Sequence, residues 1–128
     1  MPNTSDGRRG EDFAALYLTR RGYRILARNY RTRYGEIDIV AQCGEVLAFV
    51  EVKTRRPASW GGAAGAVTPK KQHRLILAAE HYLQEHPTNA MPRFDVVALT
   101  TTGGEEFRVI SCNHLKGAFE LNAENGFF

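Results

Sequence analysis

The chain has 128 residues, of which 43% are apolar, enough for one domain spanning 1–128 around one core. Seventeen Lys and Arg against 14 Asp and Glu give a net charge of +3, with a pI of about 9.1. No stretch approaches the roughly 18 unbroken apolar residues of a membrane span, and Met1-Pro2-Asn3-Thr4-Ser5-Asp6 lacks the apolar run of a secretory signal. Two cysteines, Cys43 and Cys112, are too few for a disulfide scaffold and lack zinc-like spacing. A cytoplasmic protein with reduced thiols and no membrane partner is expected.

The first predicted element is a helix over about 7–21, with Ser5 or Asp6 as cap and Gly22 as terminator. Ala14, Ala15 and Leu18 share its inner arc, with Glu11 on the same side. Strand patterns follow at 23–29, 36–41 and 46–53, with a turn at 42–45. Residues 54–67 hold Pro57, Gly61, Gly62 and Gly65 and read as a loop beside the site. Thr68-Pro69 is a helix start, Thr as cap and Pro at the first helical position, and the helix runs to about Glu85. Its inner arc holds Leu75, Ala78, Ala79, Tyr82 and Leu83, with Lys71 and Gln72 near it. Strands at 94–100 and 107–111 follow, and the tail from Asn113 is ambiguous in pattern, with one helical turn or more ending near Leu121 as its reading. The order predicts an α/β fold, a mixed central sheet of about five strands flanked by helices, because a crossover helix lets two strands run parallel.

Three ionisable residues interrupt these strands. Asp38 lies in Gly35-Glu36-Ile37-Asp38-Ile39-Val40, and Glu51 and Lys53 lie in Phe49-Val50-Glu51-Val52-Lys53. A buried carboxylate must pair, neutralise or hold a cation. Twelve residues separate Asp38 from Glu51, enough for a hairpin that sets them opposite each other. The same register would set Glu36 opposite Lys53. Oxygen ligands without His or thiolate favour Mg2+ or Mn2+ over zinc. Asp38 and Glu51 are therefore expected to hold the metal, with Glu11 as a further acidic ligand from the first helix. Lys53 would orient or deprotonate a water nucleophile. Two basic groups flank the cluster: Arg20 to Arg33, and Arg55, Arg56, Lys70, Lys71 and Arg74. Basic flanks around an acidic centre suit a phosphate backbone brought to a metal.

At this point the residues resemble a known pattern. Asp38 followed by Glu51-Val52-Lys53 resembles the PD-(D/E)xK signature of restriction-endonuclease-like nucleases. The chain also resembles the YraN family of small bacterial proteins, likened to archaeal Holliday-junction resolvases. The shared words are Gly10-Glu11, Gly22-Tyr23-Arg24-Ile25-Leu26, Asn29-Tyr30-Arg31, Gly35-Glu36-Ile37-Asp38, Phe49-Val50-Glu51-Val52-Lys53, Val67-Thr68-Pro69-Lys70-Lys71 and Arg93-Phe94-Asp95-Val96-Val97. They span roughly 7–120. The resemblance implies a restriction-endonuclease-like fold, metal ligation by Asp38 and Glu51, and a catalytic Lys53. It also implies that Glu11 matches the first-helix acid of resolvase-type members. The implied function is a Mg2+- or Mn2+-dependent DNA endonuclease acting on branched or junction DNA, and the implied assembly is a homodimer. Ile37 stands where the signature has proline. Gln72 matches part of a Gln-x-x-x-Tyr element, but Ile76 stands where the tyrosine would be.

Arg55, Arg56, Lys70, Lys71 and Gln72 are the candidate DNA contacts. The alternative function is a nucleic-acid-binding or scaffold protein that keeps the nuclease fold without cutting. Glu36 is expected to orient Lys53 or bind an arginine, and Asp95 to be structural, bonded to a backbone group or an arginine. His73, His81, His86 and His114 have no ligand spacing and read as surface residues. Trp60 is a candidate for stacking on a base or for packing.

Overall fold

A computed structural model describes residues 5–57, 67–102 and 106–119. The elements are α1 (Ser5–Arg20), β1 (Arg24–Arg31), β2 (Glu36–Cys43), β3 (Val46–Arg55), α2 (Pro69–Glu85), β4 (Met91–Thr101) and β5 (Val109–Phe119). The strands form one sheet in chain order. All neighbours are antiparallel except β3 and β4, which run parallel. α2 is the crossover that makes this possible. The predicted α/β fold with a five-stranded mixed sheet is the fold observed.

Local chemistry accounts for the boundaries. α1 ends where Gly22 takes a φ of 93°, and the amides of Gly22 and Tyr23 close on the carbonyls of Thr19 and Leu18 at 3.1 and 3.0 Å. Ser5 and Asp6 lie inside α1, not at its cap, so the helix begins earlier than its sequence pattern indicates. Gly44, with a φ of 58°, supplies the two-residue turn between β2 and β3. At α2, Thr68 Oγ1 accepts the Lys71 amide at 3.2 Å and Pro69 sits in the first turn, as predicted.

Each face of the sheet buries one helix. Leu75, Ile76, Ala78, Ala79 and Tyr82 of α2 pack on Val40, Leu47, Phe49, Phe94 and Val96. Ala14 and Leu18 of α1 pack on Ile39, Ala41, Ala48, Val50, Val97 and Leu99. Strands covered on both faces read as near-continuous apolar runs, which is why 46–50 and 94–99 lack polar alternation. Each buried aliphatic side chain is worth about 1.5–3 kcal/mol, well above an exposed ion pair such as Arg28–Asp12. The stripes, not the surface charges, hold the helices. α1 also lies so close to β3 that a side chain on Gly10 would run into that of Thr54.

The tail departs from expectation. Instead of a strand ending at Ser111 and a tail of one helical turn or more, β5 runs to Phe119 and pairs along β4 from Thr101↔Val109 to Phe94↔Phe119. Asn113, His114, Lys116 and Gly117 are weak strand formers alone, but a ladder along β4 overrides propensity. Gly117, with a φ of 62°, lies where the register shifts. The Gly-rich loop with Trp60, the turn at 103–105 and the chain ends lie outside the described residues. Among the described residues no helix is long and apolar enough to cross a membrane, and Cys43 and Cys112 are both free thiols.

Candidate active site

The site forms where β2 and β3 part. Their ladder runs from Cys43↔Val46 to Ile39↔Val50 and stops there. Beyond that point β2 stays paired with β1, and β3 with β4. Continuing the register sets Asp38 opposite Glu51, as the sequence predicts. In place of the next backbone bond, the Val52 amide donates to Asp38 Oδ2 at 2.8 Å. The Asp38 carboxylate thus fills the fork between the strands. Glu51 and Lys53 follow Leu47 and Phe49 in strand alternation, so they face α2, as Asp38 follows Val40.

Glu51 is only 6% exposed and holds two ammonium groups. Lys71 Nζ, from the first turn of α2, lies 2.7 Å from Glu51 Oε2, and Lys53 Nζ lies 3.9 Å from the same oxygen. Gly35, Glu36, Asp38, Glu51, Lys71, Arg74 and Leu75 line one pocket of about 290 Å³. Burial and the facing Glu51 charge push the Asp38 carboxyl up to about 7, against the pull of the Val52 amide; Glu11 and Glu36 add to the rise. Burial and the charge of Lys71 pull Lys53 below the usual lysine range, against the opposing charge of Glu51. Burial draws Lys71 the same way, but its hydrogen bond to Glu51 and the charges of Glu51 and Asp38 outweigh that and leave it raised.

These shifts predict a stability effect. Folding raises the Asp38 pKa from 3.8 to about 7. Its contribution to stability is therefore fully present below about pH 4 and is lost as pH rises through about 7. Asp38→Asn keeps an acceptor for Val52 and removes the charge, so the metal-free variant should exceed wild type by about 1–3 kcal/mol at pH 8. The gap should narrow toward pH 5. Urea unfolding at the two pH values measures it, and a variant no more stable than wild type at pH 8 would contradict the repulsion between the two carboxylates.

The comparisons with known proteins bear out the resemblance to a family of small bacterial proteins. The model of "Uncharacterised protein family UPF0102" matches residues 10–99. A UPF0102 protein of Geobacter sulfurreducens is 48% identical over 116 residues, covering 90% of this chain and 88% of that protein. The chain belongs to the UPF0102 family. A UPF0102 protein of Syntrophotalea carbinolica is 47% identical, with 91% and 92% covered, and one of Herminiimonas arsenicoxydans is 45% identical, with 89% and 86% covered. UPF0102 is the YraN family to which the sequence words pointed.

Not every predicted site residue of this UPF0102 chain enters the pocket. Glu11 accepts a hydrogen bond from Asn29 Nδ2 at 3.0 Å and lines a neighbouring pocket with Arg8, Asp12, Arg28 and Asn29. Its charge reaches Asp38, but its carboxylate is held elsewhere. Glu36 does not meet Lys53, because the β2–β3 ladder ends first. It faces Arg31 across β1, at 3.7 Å from Nε. Gln72 turns away from the acidic pair, donates to the Val67 carbonyl at 2.7 Å, and lines a different cavity with Val96 and Phe119. Arg56 reaches Asp6 of α1 at 3.2 Å, Arg55 closes β3, and Lys70 is exposed on the first turn of α2. Arg74 joins the pocket, where its sequence context marks it only as part of a basic group. Its spacing of three from Lys71 on one helix is the signal that puts both on one face.

Among the described residues the buried carboxylate besides Glu51 is Asp95, 1% exposed, and it is structural as expected. It accepts Arg93 Nε and a terminal nitrogen at 2.8 and 2.7 Å, His114 Nε2 at 2.8 Å and the Gly117 amide at 3.0 Å. Burial opposes its ionisation, but the His114, Arg93 and Gly117 hydrogen bonds prevail and hold it down at about 2. Arg93 also donates to the Tyr23 hydroxyl at 2.6 Å. The reading of His114 as a surface residue is corrected: its side chain is buried against Asp95 and meets Tyr17 and Tyr23 edge-on. The error has the same source as the tail, since a strand ending at Ser111 gives His114 no inward face.

Proposed function

We propose that this protein is a divalent-metal-dependent DNA endonuclease of restriction-endonuclease-like fold, acting on branched or junction DNA. The observation that carries the proposal is the fork: a half-buried and a buried carboxylate on adjacent strands, a lysine two residues beyond the second, and a cationic helix start above them. The donor set suits a hard cation. Asp38 and Glu51 offer only oxygen, and the pair already attracts positive charge, with Lys71 Nζ at 2.7 Å from Glu51. Among the described residues no group of three or more His, Cys, Asp or Glu side chains is arranged to hold a metal. In this proposal Asp38 and Glu51 alone are the protein's ligands, and Glu11, bonded to Asn29, acts through its charge.

When bound there, Mg2+ or Mn2+ would supply a polarised water and charge for the scissile phosphate. Asp38, held by the Val52 amide, fixes its carboxylate without rotamer freedom, so its orientation is set before substrate arrives. Lys53, drawn down in pKa by burial, can orient the water nucleophile and take up its proton, or stabilise charge on the phosphate. Arg74, Lys70 and Lys71 sit at the N-terminus of α2, where helix amides also favour anions. Arg55 and Arg56 extend the basic border past Lys53.

The non-cutting alternative rests on one observation, that Lys71 and Lys53 already neutralise Glu51 without metal. One experiment separates the two. Labelled linear, flap and four-way-junction DNA are incubated with the protein and Mg2+ or Mn2+, with and without excess chelator. Metal-dependent cuts, strongest on the junction, are expected. Binding without cleavage in either metal selects the scaffold function.

A further inference from the structure

We propose that Lys71 is a cation latch: it closes the carboxylate pair in the metal-free protein and swings out to a DNA phosphate when a divalent cation takes its place. This rests on the metal-dependent reading above and assigns Lys71 a role within it.

Three features carry the inference. Lys71 Nζ is the closer of the two ammonium groups on Glu51 Oε2, at 2.7 Å against 3.9 Å for Lys53. It therefore occupies an oxygen that a cation held by Asp38 and Glu51 would need, within the pocket these residues line together. A nearly buried carboxylate beside a second one needs a counter-charge at all times, and Lys71 supplies it when no metal is bound. The Lys71 side chain is 45% exposed, while its backbone amide is fixed by Thr68 Oγ1 at 3.2 Å. The ammonium can therefore leave on its flexible stem without disturbing the helix cap.

Departure has a second consequence. A dication and an ammonium on the same oxygen repel, so the displaced Lys71 joins Lys70 and Arg74 at the helix start and adds one phosphate contact there. Metal and DNA then strengthen each other's binding through one side chain, and the coupling is reciprocal.

The test uses Mn2+ alone and no cleavage readout. Wild type, Lys71→Gln and Lys71→Arg are titrated with Mn2+ by calorimetry, with circular dichroism to verify folding. Without the competing ammonium, Lys71→Gln should bind Mn2+ about five- to tenfold more tightly, equivalent to losing one ion pair, while Lys71→Arg stays near wild type. In parallel, binding of a labelled duplex is followed against salt in Ca2+ and in chelator. The slope of log affinity on log salt should steepen by about one unit with Ca2+ in wild type and not in Lys71→Gln. Equal or weaker Mn2+ binding by Lys71→Gln overturns the latch and leaves the metal site standing. Tighter Mn2+ binding with an unchanged wild-type slope overturns the transfer to phosphate. No Mn2+ binding by wild type or Lys71→Gln removes the metal reading and the latch together.

Discussion

Lys53→Ala is expected to lower DNA cleavage by about 10²–10³-fold, the usual cost of losing one charged stabiliser at a reacting phosphate, with little change in melting temperature. Folding survives because Glu51 keeps Lys71 at 2.7 Å after Lys53 is gone. Glu51→Gln should be more severe. It removes one of two proposed ligands and leaves Lys53 and Lys71 facing each other without their shared carboxylate, so cleavage should fall below detection and Mn2+ affinity should drop with it. Initial rates on the preferred substrate at fixed Mg2+, beside thermal melts, check both. A Lys53→Ala rate within threefold of wild type would falsify the proposed chemistry.

The largest stability effect is expected away from that pocket. Asp95→Ala strips the shared acceptor from Arg93, His114 and the Gly117 amide at once. Breaking a buried charged network by deleting one partner costs about 3–5 kcal/mol, which for a chain of this length is a fall of roughly 10–20 °C in Tm. The acid limb should change as well. Because folding depresses the Asp95 pKa from 3.8 to about 2, its stabilisation is present above about pH 4 and lost as pH falls through about 2. The difference in stability between wild type and variant should therefore shrink below pH 4. A variant melting within a few degrees of wild type at neutral pH contradicts this account.

What could be read from residues alone followed the range of the interactions. The hairpin carrying Asp38 and Glu51 was legible because its apolar runs, its Gly44 turn and the spacing between the carboxylates are local. Thr68-Pro69 announced α2 for the same reason. Lys71 is eighteen positions beyond Lys53, and nothing in its neighbours says that α2 lays it over Glu51; only the crossover does. Glu11 was placed on the correct side of its helix, but its bond to Asn29 depends on a φ of 51° at that residue, a left-handed backbone no pattern signals. The network around Asp95 joins Arg93 of β4, His114 of β5 and Tyr23 from the connection between α1 and β1, and no local pattern signals it, which is why neither the burial of His114 nor the length of β5 is legible in the sequence.

The contact of Gly10 with Thr54 gives α1 a fulcrum. Leu18 and Tyr23 anchor the far end of that segment in the core, so a methyl group at position 10 would act as a wedge, prising the near end away from β3 while the far end stays put. Glu11 rides on that near end, one residue from the wedge. The close approach at Gly10 thereby bears on how far an acidic neighbour would stand from Asp38, whose carboxyl feels the Glu11 charge, and a mechanical change at Gly10 would become an electrical one in the fork between β2 and β3.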